Sequence, residues 1–278
     1  MKLAAHRYGK SRVRLLKVLR DGDIHTVKEL TARVLLEGAF DRSFTAADNA
    51  SIVATDTMKN TLHVLAHDEL GVENEPFARL VAAHFLDRYA HVSRVIVELD
   101  ERVWTRLTVR GAAHPHGFAH SQVGRPFTHL VASRDEIVHE SGIDDLTILK
   151  SAQSGFEAFH RDELTTLPDT KDRILATSAR FSWRWGREPV SYRAASDAIL
   201  DAVLVPFVER YSPSLQATLY EMAGAALAAC AEIDSITLTM PNLHCLLVDL
   251  TPFGRTNRQQ LFVPTDEPHG YIEATVSR

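Results

Sequence analysis

Several polar side chains in this sequence could carry out chemistry. Lys10 could act as a base near neutral pH if burial lowers the pKa of its amine. Thr55 and Asp56 stand at the predicted start of a helix, where a hydroxyl and free backbone amides can face a ligand. Asn242 and His244 alternate on one face of a predicted strand. Each also has a simpler interpretation, as a solvated lysine, a helix cap or a polar strand residue.

For three further residues, a purely structural role is the simpler interpretation when each is considered alone. Phe156 is typical of a core or strand residue, and Arg173 of a surface or ion-paired side chain. Gln216 lies where a solvated first turn of a helix is predicted. Residue type alone therefore leaves the role of all three open.

Histidines are concentrated at His114, His116 and His120, with His129 beyond them. A strand can place His-x-His side chains on one face, but zinc needs three or four ligands in a fixed geometry. No cysteine flanks this segment, and the chain has no His-Glu-x-x-His motif. The pattern favours a polar loop over a metal site.

Composition indicates an ordinary globular protein of about two domains. The 278 residues are 45% hydrophobic, and 31 Lys+Arg against 36 Asp+Glu give a net charge of −5, with no basic cluster typical of nucleic-acid binding. No apolar stretch reaches the roughly 20 residues of a membrane span, and no secretory signal is apparent. The only cysteines, Cys230 and Cys245, favour a reducing compartment.

Apolar patterning predicts the same order of elements in both halves of the chain. Alternation in the first half predicts a hairpin that turns at Asp21-Gly22-Asp23, and a helical period follows both Asp56 and Asn74. The predicted strands are 4–40 (as the hairpin), 94–109, 127–133, 146–159, 173–185, 235–250 and 270–276, and the second pair of helices is 191–211 and 214–230.

This repeated order predicts an α+β protein made of two tandem ββααββ units, residues 1–137 and 138–278. Each unit would be an antiparallel sheet with paired helices on one face. Such sheets have open edges, which oligomerisation into a closed barrel would cover.

Read together, the candidate residues lie in segments that resemble the urate oxidase (uricase) family of the tunnelling-fold superfamily. The resemblance runs in order along nearly the whole chain. It rests on Tyr8-Gly9-Lys10, Val53-Ala54-Thr55-Asp56 with Lys59-Asn60-Thr61, Leu149-Lys150-Ser151 leading to Phe156, Arg161-Asp162-Glu163, Thr165-Thr166-Leu167, Asp172-Arg173-Ile174-Leu175, Gln216-Ala217-Thr218 and Pro241-Asn242-x-His244.

The resemblance implies an oxidoreductase of purine degradation that uses no metal, flavin or other cofactor. Its substrates would be urate, dioxygen and water, and its products 5-hydroxyisourate and hydrogen peroxide. Phe156 would stack on the purine, Arg173 would grip one carbonyl and nitrogen edge, and Gln216 would pair with the opposite edge. The resemblance also implies a proton relay made of Lys10, Thr55 and His244.

Other matched positions would support the reaction. Ser214 and Leu215 match a helix start whose backbone contacts the substrate, with leucine where the family usually has valine. Leu167 matches an apolar wall, and Asn242 the amide that holds oxygen or water above the ring. Asp56 would orient the threonine segment or contact the substrate.

The resemblance further implies a homotetramer that forms a barrel or tunnel, with active sites at the subunit interfaces. One subunit would supply Lys10 and Thr55, and its neighbour Phe156, Arg173, Gln216, Asn242 and His244. The final residues, Thr275-Val276-Ser277-Arg278, lack a Ser-Lys-Leu peroxisomal signal, so we expect a cytoplasmic enzyme with no membrane or nucleic-acid partner.

Two alternatives stay open at this point. One is a zinc-dependent tunnelling-fold purine or pterin enzyme whose histidines bind the metal, although such relatives anchor the heterocycle with a glutamate, whereas Arg173 and Gln216 suit anionic urate. The other is a non-catalytic binding relative, against which the set of Lys10, Thr55 and His244 speaks.

Overall fold

The computed structural model describes residues 1–278 and divides into two compact units, Met1–Ile143 and Asp144–Arg278. The division predicted after residue 137 lies a few residues before the one in the structure. Both positions fall within strand β7 (Ile137–Lys150).

The first unit contains an antiparallel sheet with helices packed on it. The predicted hairpin is present as β1 (Tyr8–Asp21) and β2 (Ile24–Gly38). The remaining elements are α1 (Asp41–Thr45), α2 (Thr55–Glu69), α3 (Asn74–Arg88), β3 (Val92–Arg102), β4 (Trp104–Val109), β5 (Ala112–His120) and β6 (Arg125–Ala132). Strands β1, β2, β3 and β6 pair in that order, and β4 and β5 form a separate two-stranded sheet.

Alternation along β2 explains why the helices pack on this sheet. Leu30, Ala32, Val34 and Leu36 are fully buried and share one apolar core with the inner faces of α2 and α3. Full burial of a side chain such as Leu or Val contributes about 1.5–3 kcal/mol, so the core holds α2 against β1 and α3 against β3 and β6. The α+β prediction is confirmed.

The second unit repeats the combination of antiparallel strands and two long helices. The elements are β8 (Leu175–Trp185), α4 (Tyr192–Glu209), α5 (Leu215–Ala229), β9 (Ile233–Thr239), β10 (Asn242–Leu247), a 3-10 turn (Thr251–Phe253), β11 (Phe262–Gly270) and β12 (Glu273–Ser277). Strand β8 pairs with both β9 and β10, β10 pairs with β11, and β9 pairs with β12. The most deeply buried side chains of this unit include Trp183, Phe181, Phe207 and Met222. None of the five α-helices has the length and apolar character needed to cross a membrane.

Several predicted strand limits were wrong. The single strand expected over 235–250 is β9 followed by β10, because Pro241 lacks the N–H that a continuous ladder needs. The strand expected over 146–159 ends at Lys150, since Gln153 (φ 63°) and Ala158 (φ 56°) have left-handed backbone. The strand expected over 94–109 is divided into β3 and β4 at Val103.

Two strands arise where none was predicted. The histidine-rich segment, expected to be a polar loop, is β5 and pairs with β4. Strand β11 contains Pro264 and Pro268 and has no clear alternation, so its sequence gives little strand signal. Both strands exist through pairing with a neighbour in the hairpin.

His139 makes the stability of the first unit depend on pH. The residue lies in β7 with 2% of its surface exposed, and burial, assisted by the charge of Arg79, lowers the pKa of His139 to about 3. Below the ordinary value of 6.5 the unfolded chain therefore binds a proton that the folded chain does not. We expect the contribution of His139 to the free energy of unfolding to fall by about 2 kcal/mol between pH 7 and pH 5.

Urea denaturation at the two pH values measures this dependence. His139→Gln should flatten it, while His67→Gln, at a side chain with 88% exposure, should retain the wild-type slope. If the free energy of unfolding changed equally with pH in the wild type and in His139→Gln, the pH dependence could not be assigned to His139.

Candidate active site

Lys10 lies on β1 where the regular pairing with β2 is interrupted. It is half-buried and stands opposite Val34, and the register shifts between Lys10 and Val13. Arg12 has left-handed backbone (φ 57°) within that irregularity. Such a bulge bends and twists the strand locally, and Tyr8, Gly9 and Lys10 pair with β2 beyond it.

Tyr8 connects the start of β1 with the start of α2. Its hydroxyl accepts a hydrogen bond from the Val53 N–H at 2.8 Å and donates one to the Val53 carbonyl at 3.2 Å. Thr55 is the first residue of α2, two residues beyond Val53, and is exposed. The Tyr8 hydroxyl thus ties the Lys10 strand to the Thr55 turn.

Asp56 does not cap α2, so that prediction was wrong. The cap position is Ala54, which supplies no side-chain hydrogen bond, and Asp56 lies inside the first turn. Its carboxylate accepts hydrogen bonds from Lys59 Nζ at 2.5 Å and Asn60 Nδ2 at 3.0 Å. The Lys59 ammonium, with smaller contributions from Asn60 and Lys10, holds the pKa of Asp56 below its usual value. Lys10 is therefore within electrostatic reach of Asp56.

In the second unit, Phe156 lies on the segment between β7 and β8. Its backbone N–H donates to the Thr170 carbonyl at 2.7 Å and its carbonyl accepts from the Thr170 N–H at 3.0 Å. The preceding Gly155 has its N–H on the Ser212 carbonyl at 2.8 Å, and a Cβ there would overlap the Tyr211 hydroxyl. The ring of Phe156 remains half-exposed, so it is not a core residue.

Arg173 places a cation over that ring. Its Cζ is 5.5 Å from the Phe156 ring centroid, and its backbone N–H donates to the Ser154 carbonyl at 2.7 Å. The guanidinium is half-buried, and burial lowers its pKa. Its Nε is buried and has no hydrogen-bond partner. A buried donor without an acceptor is costly, and an anionic ligand would satisfy it.

The start of α5 presents Gln216 to solvent. Ser214 caps the helix, since its Oγ accepts from the Ala217 N–H at 3.1 Å. The Leu215 side chain is buried, so Leu215 can offer only its backbone groups to a ligand. Gln216 is exposed in the first turn, where the free amides of a helix favour negative charge. Ser212 ties this turn to the Phe156 segment, because its hydroxyl accepts from Thr218 Oγ1 at 2.7 Å and its carbonyl accepts from the Gly155 N–H at 2.8 Å.

Asn242 and His244 occupy alternate positions of β10, as predicted. Asn242 stands opposite Thr177 of β8, and His244 opposite Thr265 of β11. Leu243, which lies between them, pairs with Ala176, three residues after Arg173. The β8 and β10 pairing therefore brings the Arg173 end of β8 alongside the Asn242 and His244 segment.

Comparisons with known proteins match these segments to one family. The family model described as Uricase matches residues 6–131 and 139–273. The chain belongs to the uricase family. It is 38% identical to the uricase of Oryctolagus cuniculus, over 98% of this chain and 93% of that protein. It is also 38% identical to the uricase of Arthrobacter globiformis, over 99% of this chain and 90% of that protein.

Solved uricase structures agree with the fold. The crystal structure of uricase from Arthrobacter globiformis superposes with a TM-score of 0.95 at 37% identity, covering 100% of this chain and 95% of that one. Urate oxidase from Bacillus sp. TB-90 gives a TM-score of 0.85 at 22% identity, covering 98% of this chain and 100% of that one. The tandem α+β architecture is therefore that of the uricases.

Within this chain, the predicted residues form two local groups. Lys10, Thr55 and Asp56 are assembled in the first unit through Tyr8 and the start of α2. The second unit holds Phe156, Arg173, Ser214, Leu215, Gln216, Asn242 and His244. Leu167, also in the second unit, is exposed, and its carbonyl accepts from Arg161 Nη1 at 3.0 Å.

Sequence reasoning missed the side chains that hold these groups in place. Tyr8, Lys59 and Asn60 lay within the segments that resemble uricases, but no role was predicted for them. The spacing was a usable signal, because residues three and four positions after Asp56 share its helix face.

The histidine-rich hairpin formed by β4 and β5 contains two neighbouring imidazoles. The rings of His114 and His116 have centroids 4.5 Å apart, and Arg106 Nη1 donates to the His114 carbonyl at 2.7 Å. Nowhere in the chain do three or more His, Cys, Asp or Glu side chains form a group that could hold a metal ion.

Gly9 gives a test of how closely the Lys10 strand must approach β2. A Cβ at Gly9 would overlap the Val34 carbonyl oxygen and lie 2.8 Å from the Leu35 Cα. Because both are backbone atoms, Gly9→Ala should push β1 away from β2 beside Lys10. We expect a loss of about 1–3 kcal/mol of folding free energy, as in other overpacked sites, measured by urea denaturation.

Gly224→Ala is the matched control, since nothing lies within 4 Å of a Cβ at that helical position. It should leave stability unchanged or raise it by up to about 1 kcal/mol. Equal effects of the two substitutions would contradict the close approach at Gly9.

Proposed function

We propose that this chain oxidises urate with dioxygen and water to 5-hydroxyisourate and hydrogen peroxide. Relatives named uricase are 38–39% identical over 98–99% of the chain, and the family match covers most of it. The chain is accordingly a urate oxidase, an oxidoreductase.

The observation that carries the proposal within the molecule is the guanidinium of Arg173. Its half-buried charge lies 5.5 Å from the Phe156 ring centroid, and its buried Nε has no acceptor. A flat anion stacked on Phe156 would place a carbonyl or ring nitrogen within reach of the N–H donors of the Arg173 guanidinium. Urate is such an anion.

Other residues of the second unit would complete the binding of urate. Gln216 would pair with the edge of the purine opposite Arg173, using both its donor and its acceptor. Ser214 and Leu215 would contribute the backbone of the helix start, and Leu167 an apolar wall. In this arrangement the ring face contributes contact area and the polar groups determine orientation.

The proposed chemistry moves two electrons from the urate anion to dioxygen, and water supplies the hydroxyl added to the ring. Because the purine anion is itself the reductant, the reaction needs no metal or flavin. Asn242 would hold oxygen or water over the ring. Lys10, Thr55 and His244 would relay protons from urate and water toward the peroxide, since an amine, a hydroxyl and an imidazole can each give and take a proton. Asp56 would orient the Thr55 turn.

We also propose a homotetramer of cytoplasmic location. Lys10 and Thr55 of one subunit would meet Phe156, Arg173, Gln216, Asn242 and His244 of its neighbour, so that a monomer would be inactive. Open sheet edges, such as that of β1, would be covered in the assembly.

Oxygen-dependent loss of urate tests the proposed function. Purified, chelator-treated protein is mixed with urate in air and under nitrogen, with ultraviolet detection and a peroxide assay. We expect loss of urate only in air, one peroxide for each urate, and no effect of the chelator. Absence of turnover, or its loss on chelation, would overturn the proposal.

A further inference from the structure

The Phe156 ring depends on side-chain contacts for its orientation. Residues 151–174 contain neither a helix nor a regular strand, and Phe156 pairs there only with Thr170. An aromatic ring on such a segment is free to turn about its side-chain bonds unless neighbouring groups restrict it. A stacking platform needs that restriction, because a mobile ring loses entropy when a ligand binds.

Phe159 supplies a parallel partner for this ring. The two ring centroids are 4.8 Å apart and the planes differ by 7°, an offset-stacked geometry. Phe159 is itself half-exposed, so core packing does not account for its position. With Phe159 stacked against one face of Phe156, only the opposite face can accept a planar ligand.

Arg161 in turn fixes Phe159. Its Cζ lies 4.5 Å from the Phe159 centroid, a cation-π contact. The guanidinium is held by the Leu167 carbonyl, 3.0 Å from Nη1, and by Asp169 Oδ1, 3.0 Å from Nη2. Arg161 therefore has a determined position from which to hold the ring.

The turn that carries Arg161 is closed by its own hydrogen bonds. Asp162 Oδ1 accepts from the Leu164 N–H at 3.0 Å and from Thr165 Oγ1 at 2.9 Å. The Thr165 N–H also donates to the Asp162 carbonyl at 3.1 Å. This closed turn brings Leu167 and Asp169 back to Arg161.

We infer that Phe159, fixed by Arg161, is a positioning residue that sets the plane of the Phe156 ring for the stacking of urate. The inference rests on the proposed function and adds two residues to it. Arg161, Phe159 and Phe156 form an ordered stack, and the Cζ of Arg173 lies over the Phe156 ring, 5.5 Å from its centroid. Urate then binds to the face of Phe156 turned away from Phe159.

Steady-state kinetics of four variants test the inference. Phe159→Leu removes the ring and should raise KM for urate about 2- to 10-fold, the range expected for loss of an aromatic pair, with kcat changed less than KM. Phe159→Tyr retains the ring and should restore the wild-type KM. Arg161→Gln should raise KM in the same direction by a smaller factor. Leu164→Ala, on the same turn with 82% exposure, is the matched control and should match the wild type.

Direct binding separates positioning from a structural role. Under nitrogen, titration of urate followed by its absorbance change should show weaker binding to Phe159→Leu by the same factor as KM. Unchanged or tighter binding would overturn the inference, the latter because Phe159 would then be covering the urate face. If Phe159→Leu does not fold, an unchanged KM in Arg161→Gln would overturn it. Absence of turnover in the wild type would instead overturn the proposed function.

Discussion

Lys10→Ala is expected to lower kcat by about 100- to 10,000-fold, the range for loss of a general acid or base. Lys10 is the only amine among the three proposed relay residues, and the pairing of Tyr8 with Val53 holds its strand against the Thr55 turn. Urate binding should persist, because the residues proposed to grip the purine lie in the second unit. Loss of urate absorbance in air measures turnover, and titration under nitrogen measures binding.

Lys17→Ala is the matched control for Lys10→Ala. Lys17 is also a half-buried lysine of β1, and its Nζ donates to the His67 carbonyl at 2.8 Å. Its removal should leave kcat unchanged. A Lys10→Ala protein that assembles and turns over within about threefold of the wild type would remove Lys10 from the relay. Loss of assembly in Lys10→Ala alone would assign it a structural role.

Arg173→Gln is expected to lower kcat/KM for urate by about 100- to 10,000-fold. A hydrogen bond to a charged group contributes about 1.5–3 kcal/mol, and the guanidinium fork can make two of them. Arg173→Lys keeps the charge but loses the fork, so it should recover only part of the activity. Comparison of Arg173→Lys with Arg173→Gln therefore separates the contribution of the positive charge from that of the guanidinium geometry.

The effect of Arg173→Gln on stability distinguishes ligand binding from structure. Its Nε has no partner in the chain, so its replacement should not lower Tm, whereas replacement of a structural arginine would. Arg184→Gln, at an exposed position of β8, the strand that follows Arg173, is the control for kinetics. A large fall in Tm with an unchanged kcat/KM would contradict the proposed role of Arg173.

The site was only partly accessible from the sequence. The segments around Lys10, Thr55, Arg173 and Gln216, taken in order with the other matching segments, carried the resemblance to the uricases, which the comparisons confirm. The side chains that hold them in place were not apparent, since the contact of Tyr8 with Val53 joins residues far apart in the chain. The roles assigned to the individual site residues stay predictions until the variants are measured.

What the sequence by itself determined is the set of elements whose signal is local. The alternation of Leu30, Ala32, Val34 and Leu36 and the helical period beginning at Phe77 each reflect one buried face, so β2 and α3 follow from nearby residues. The α+β class and the tandem order follow from such elements taken in sequence.

Only the tertiary structure decided where the chain departs from those local patterns. Left-handed backbone at Gln153 and the pairing of Ser154 with Ser212 end the strand expected through Phe156. Proline-containing β11 is a strand because β10 pairs with it. These features depend on hydrogen bonds between segments distant along the chain, and the energy of such a bond is available only after both segments have been brought together.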